Sequence, residues 1–264
     1  MRRPGDDNLL DFSCMERTVN PGTRHVALIG CEVLERELAA LSGLGEAVAS
    51  REILPAGLHV QPTRLRAILA QAIAHTEERP EIDTIVLAYG LCGSALVGLG
   101  PSRCSLVVPR AHDCVTLFLG NKERYAECMK EDPGLYWYMP GWCRHGLVPS
   151  PDREERLRAE YRVRFDPDQV DELIEMDRES VAQHHSAAYT DLQLPGDSDQ
   201  FQYSKTCAEC RGWSMTPIHG DSGLLRDLLN GPWDPERFLV VHPGQRIALC
   251  AHGDAIIKAV PQPP

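Results

Sequence analysis

Three cysteines stand where an apolar run gives way to a turn. Cys31 follows His25-Val26-Ala27-Leu28-Ile29-Gly30, Cys92 lies in Tyr89-Gly90-Leu91-Cys92-Gly93 after Thr84–Ala88, and Cys114 closes Pro109-Arg110-Ala111-His112-Asp113-Cys114 after Ser105–Val108. Near-continuous apolar runs of this length, separated by helical spacing, read as strands of a parallel sheet buried on both faces. Successive strands of such a sheet end at one edge, and ligands bind in the crevice outside it, so three thiols from three loops would converge without any short motif. Three thiolates leave one position open on a tetrahedral metal or on one iron of a four-iron cluster. Cys31, Cys92 and Cys114 are therefore the candidate ligands of a [4Fe–4S] cluster, with zinc as the alternative. The two differ in geometry: ligands of one zinc lie under about 4 Å from each other, whereas cubane cysteine sulfurs stand roughly 6–7 Å apart. Against this, free cysteine is among the most buried of residue types, and each could be plain core.

The neighbours of Cys114 add chemistry. His112 offers an imidazole to move protons, Asp113 a carboxylate, and Arg110 a fixed positive charge to orient an anionic substrate and lower a thiol pKa. These three are the candidate catalytic residues. Gly90 and Gly93, with Gly98 and Gly100, make a glycine-rich loop after a strand. Such a loop could cradle a phosphate on its N–H groups, but it fits neither dinucleotide nor P-loop spacing, and a tight turn that leaves Cys92 room is the simpler reading. Cys207-Ala208-Glu209-Cys210 has chelating spacing without a second pair nearby, so it reads as two cysteines on a polar helix. Cys14, Cys104, Cys128 and Cys143 receive no role. His184-His185 reads as solvated. Tyr136-Trp137-Tyr138-Met139-Pro140-Gly141-Trp142 could wall a flat cofactor or close over the cleft, a packed hairpin being the simpler reading.

The elements that must position these groups follow from the rest of the 264 residues. The expected architecture is α/β, a mainly parallel sheet with helices on both faces. Its core is residues 24 to about 120 plus returning strands near 238–250, with Thr63 as a helix N-cap. A charged helical excursion spans about 150–190, interrupted near Asp166-Pro167, and Pro195–Ser204 reads as a polar loop. Residues 1–23 read as a flexible tail, 24–250 as a single domain and 251–264 as a C-terminal tail. With 38 acidic against 27 basic residues and net charge −11, no basic face is available for nucleic acid. No apolar run reaches the roughly 18 residues of a membrane span, and no signal sequence follows Met1-Arg2-Arg3, so ten cysteines are expected as cytoplasmic thiols or ligands.

Tyr89–Gly93, Pro109–Cys114 with Phe118-Leu119-Gly120, Pro140-Gly141-Trp142, and Gly231-Pro232-Trp233-Asp234 with Phe238–Val241 together resemble the prokaryotic family catalogued as domain of unknown function 1638, over about residues 24 to 245. That resemblance implies a cytoplasmic protein associated with corrinoid-dependent methyl transfer in anaerobes, and it implies small organosulfur or methylated substrates. A second analogy is architectural: quinolinate synthase and the diphthamide-forming proteins also gather one cysteine from each of three α/β units around a cluster. Two functions of different class follow. One is a cluster-dependent enzyme or maturation factor. The other is a binding module that docks on a corrinoid protein or methyltransferase with its cysteines inert.

Overall fold

The computed structural model describes residues 25–42, 48–250 and 255–263. The expected N-terminal tail, with Cys14, lies outside them. The first half reads β1 (Val26–Cys31), α1 (Glu35–Ser42), β2 (Val48–Leu54), α2 (Pro62–Glu77), β3 (Thr84–Ala88), β4 (Ser105–Pro109), α3 (Cys114–Leu119) and α4 (Lys122–Glu131). Then come β5 (Leu135–Tyr138), α5 (Pro140–His145), α6 (Arg153–Tyr161), α7 (Pro167–Ala182), β6 (Ser186–Asp191), α8 (Asp197–Cys210), β7 (Ser214–His219), α9 (Gly223–Asn230), β8 (Phe238–Val241), β9 (Gln245–Leu249) and β10 (Ile257–Pro261).

The expected α/β class holds. The central sheet has the order β2-β1-β3-β4-β8, its first four strands parallel and β8 antiparallel at the edge. Every residue of β1 and β3 is buried. Side chains alternate between faces along a strand, so both faces of these strands are covered. After β2 the chain returns to the other side of β1 to lay down β3. The order thus reverses between β1 and β3, the switch point at which open α/β sheets bind ligands.

Several expectations are corrected. A second parallel sheet, β5-β6-β7, stands where the sequence suggested a hairpin and the end of a long helix. Its strands are short and bounded by charged helices, so their apolar residues are too few to show a period. The excursion itself is two helices, α6 and α7. The second starts at an Asp166 capping box with Pro167 in its first turn, and it ends before Ser186 rather than near Tyr189. The polar stretch from 195 is mostly α8, and α2 starts at Pro62 with Gln61 rather than Thr63 as its cap. No regular helix joins β3 to β4; residues 89–104 form a turn-rich loop whose Ala95, Leu96, Leu99 and Cys104 are buried. Only Phe238–Val241 returns to the central sheet. β9 pairs instead with β10, a strand within what read as a C-terminal tail.

The two parallel sheets share packing. Trp137 and Ala188 from the second belong to the same buried cluster as Leu28, Val86 and Leu106 from the first. Of the described residues, no helix is long and apolar enough to cross a membrane.

Candidate functional site

The carboxyl ends of β1, β3 and β4 open into a cavity of about 450 Å³ whose lining includes Cys31, Cys92 and Cys114. That volume lies within the usual range for small-molecule sites, roughly 300–1,000 Å³. Cys31 ends β1. Cys92 sits on the loop after β3, and Cys114 opens α3 after β4. All three are free thiols.

Two loops are zipped together to bring Cys92 beside Cys114. Leu91 N–H donates to Ala111 O (2.9 Å) and Cys92 N–H to His112 O (3.1 Å). Gly90 makes this approach possible: a Cβ there would lie 2.5 Å from Asp113 Cα. Cys92 itself has φ 44°, followed by Gly93 at 65° and Ser94 at 72°, a left-handed turn that costs a non-glycine residue about 1–2 kcal/mol. Gly90 and Gly93 do line the cavity. In their loop the N–H groups of Leu91 and Cys92 are spent on carbonyls, and no lysine or arginine lines the cavity.

Asp113 builds the floor. One carboxylate oxygen caps α3 by accepting from Val115 N (3.0 Å) and Thr116 N (3.3 Å), and the other accepts from Tyr125 Oη (3.0 Å). Burial raises its pKa, and the hydrogen bonds from Tyr125, Thr116 and Val115 oppose that rise. The thiols are raised too. Burial pushes Cys31 up to about 11 and Cys92 up to about 12, and holds Cys114 well above the ordinary range. Mutual repulsion adds to burial: Cys31 raises Cys92, and Asp113, Cys92 and Cys31 all raise Cys114. The three sulfurs therefore share one low-dielectric space.

Two expected residues fall elsewhere. Arg110 turns away from the cavity. Its guanidinium donates to the carbonyls of Pro235 (2.7 Å), Ala255 (2.6 Å) and Ile257, and it does not line the thiol site. His112 is exposed, its ring packed outside Tyr125 with centroids 5.9 Å apart. Adjacent residues on an irregular loop point in different directions, which sequence proximity to Cys114 does not reveal. Of the three candidate catalytic residues, only Asp113 lines the cavity.

The imidazoles that do line it are His59 and His184. His59 Nδ1 lies 2.6 Å from Ala56 O, and a carbonyl can only accept, so Nδ1 carries a proton and donates it there. Ala56 is in turn held by Glu32, the residue after Cys31, whose Oε2 accepts from Ala56 N (3.1 Å). No sequence signal marked His59, because it reaches the site through a turn packed against the end of β1.

The aromatic stretch forms a wall of the site rather than a hairpin. Tyr136 and Trp137 come from β5, Trp142 from α5 and Tyr125 from α4. Gly141 lets α5 sit directly on the turn after Cys31, since a Cβ there would meet Val33 O at 1.7 Å. The other cysteines are scattered. Cys104 donates to Ile82 O in the core (3.3 Å), Cys143 and Cys207 belong to a separate cluster, and Cys210 is exposed although Cys207 is buried, so the C-x-x-C pair is not presented together. As placed, no group of three or more His, Cys, Asp or Glu among the described residues could hold a metal ion.

Residues 53–229 match the family model described as protein of unknown function (DUF1638). The chain belongs to that family. The match is shorter at both ends than the resemblance over residues 24–245, so the DUF1638 segment contains Cys92 and Cys114 while Cys31 precedes it. No curated protein and no solved structure matches the chain.

Proposed function

We propose that this DUF1638 protein is a cluster-dependent enzyme or maturation factor whose Cys31, Cys92 and Cys114 hold a [4Fe–4S] cluster with one open iron. One observation carries the reading: three free cysteines, at or after the carboxyl ends of three different strands, line a single cavity at the sheet's switch point. The donor set fits the group. Thiolates are the ligands that four-iron clusters take, and three of them leave one iron unligated by protein. The cavity that the thiols line, about 450 Å³, has room for a group larger than a single ion.

Bound there, the cluster would supply a Lewis-acidic iron to a small organosulfur or methylated compound, the class the family resemblance implies. The chain's own residues do the rest. The largely apolar lining lowers the local dielectric and strengthens electrostatics inside the cavity. His59, held by Ala56 O, offers Nε2 to take a proton from a substrate in the cavity, the role first expected of His112. Asp113 and Tyr125 hold one another in a fixed hydrogen bond at the floor.

The test is iron and sulfide analysis of the full chain purified without oxygen, with visible and electron paramagnetic resonance spectra. The wild type should be brown, and Cys31→Ser, Cys92→Ser and Cys114→Ser should each lose most of the iron while Cys14→Ser and Cys128→Ser keep it. Serine is nearly isosteric with cysteine but a poor soft ligand, which separates ligation from packing. Equal iron in all five variants, or a colourless wild type without metal, sinks the cluster and leaves docking on a corrinoid protein or methyltransferase. Zinc in place of iron, lost in the same three variants, would select the zinc-thiolate alternative.

A further inference from the structure

The walls of the cavity carry chemistry separate from its thiols. Tyr125, Tyr136, Trp137 and Trp142 line it together with one carboxylate, Asp113, and without any lysine or arginine. Three of the four rings have their polar tips engaged. Trp142 Nε1–H donates to Tyr136 Oη (3.0 Å), and Tyr125 Oη donates to Asp113 (3.0 Å). Tyr125 and Trp137 stack with centroids 6.3 Å apart and planes 24° apart. Beside the thiols, the two imidazoles and the unpartnered Trp137 Nε1–H, these residues offer a ligand ring surface, whose electron-rich faces attract cations and repel anions.

A primary ammonium would arrive with three N–H donors and find one carboxylate already accepting from Tyr125 and two backbone N–H groups. A cation whose charge is spread over methyl groups brings no such donors and needs only ring faces and a nearby negative charge. The protein's net charge of −11 favours the approach of any cation. We infer that the cavity binds a fully methylated onium cation, a quaternary ammonium or a sulfonium, between these rings and Asp113. This deepens the proposed function and rests on it in taking the cavity as the substrate site, but it does not require the cluster.

The experiment is calorimetric titration of the full chain, as purified without oxygen and again after removal of metal by chelation. The probes are choline, its dimethylsulfonium counterpart, and the uncharged isostere in which carbon replaces the choline nitrogen. At least one cation should bind roughly tenfold more tightly than the isostere and change tryptophan fluorescence, and the tighter of the two identifies the source. Trp137→Leu and Asp113→Asn should each weaken cation binding several-fold; asparagine keeps an oxygen for the helix cap, so that variant remains usable if Trp137→Leu fails to fold. An isostere that binds as tightly as both cations, or cation binding indifferent to Asp113→Asn, overturns the inference, as does the failure of both cations to bind. Iron is measured on the same samples. Iron without onium binding rejects this inference alone, and onium binding without iron rejects the cluster alone.

Discussion

Burial decides the protonation of the three candidate ligands, and this has a measurable consequence. Unfolded cysteines ionise near 9.0, whereas in the folded chain Cys31 waits until about 11 and Cys92 until about 12. Below the unfolded value both states keep their protons and stability is unaffected. Above it the unfolded state binds fewer protons, so stability falls with rising pH until the folded values are passed, by about a tenfold rise in the unfolding constant per pH unit for each thiol. Urea midpoints of the metal-free protein from about pH 8 to 11 should therefore drop less steeply in Cys31→Ser than in wild type. Parallel slopes would show that Cys31 is not held as a buried thiol. The cysteines were legible in the sequence because each ends an apolar strand or lies within five residues after one, and a strand end has a fixed place at the sheet edge. His59 and Tyr125 were not, since a turn and a charged helix carry no comparable positional rule.

Among the elements, the junction of the β3 and β4 loops is the most exacting. Gly90→Ala would drive a Cβ into the Asp113 backbone at 2.5 Å, where no flexible side-chain end can yield. It should destabilise the protein by about 1–3 kcal/mol or more and separate Cys92 from Cys114. Denaturant unfolding checks the first effect. The second should appear as iron loss in folded Gly90→Ala protein, and a variant with wild-type stability and iron would mean that the two loops can part freely. The central strands were read correctly because burial on both faces makes them continuously apolar. The second sheet was missed because β7 is largely exposed and β5 has only four residues, so neither shows a period that distinguishes strand from loop.

For the molecule as a whole, Arg110 is a tie between distant parts of the chain. Its guanidinium joins the end of β4 to the turn before β8 and to the β9–β10 hairpin through three carbonyl acceptors. Arg110→Ala should cost about 2–3 kcal/mol of stability, the scale of hydrogen bonds made by a charged donor, while leaving iron content unchanged. The reverse outcome, stability intact and iron lost, would return Arg110 to the site. The sequence by itself determined the α/β class, the central strands and the common edge where Cys31, Cys92 and Cys114 end, since those depend on local apolar runs and on the direction of parallel strands. Only the tertiary structure decided which other side chains meet there. Tyr125, Tyr136, Trp142, His59 and Asp113 come from five different segments, and Arg110 and His112 leave the cavity although they lie within four residues of Cys114. Strand direction follows from the residues of the strand itself, whereas loop orientation follows from partners far away in the chain.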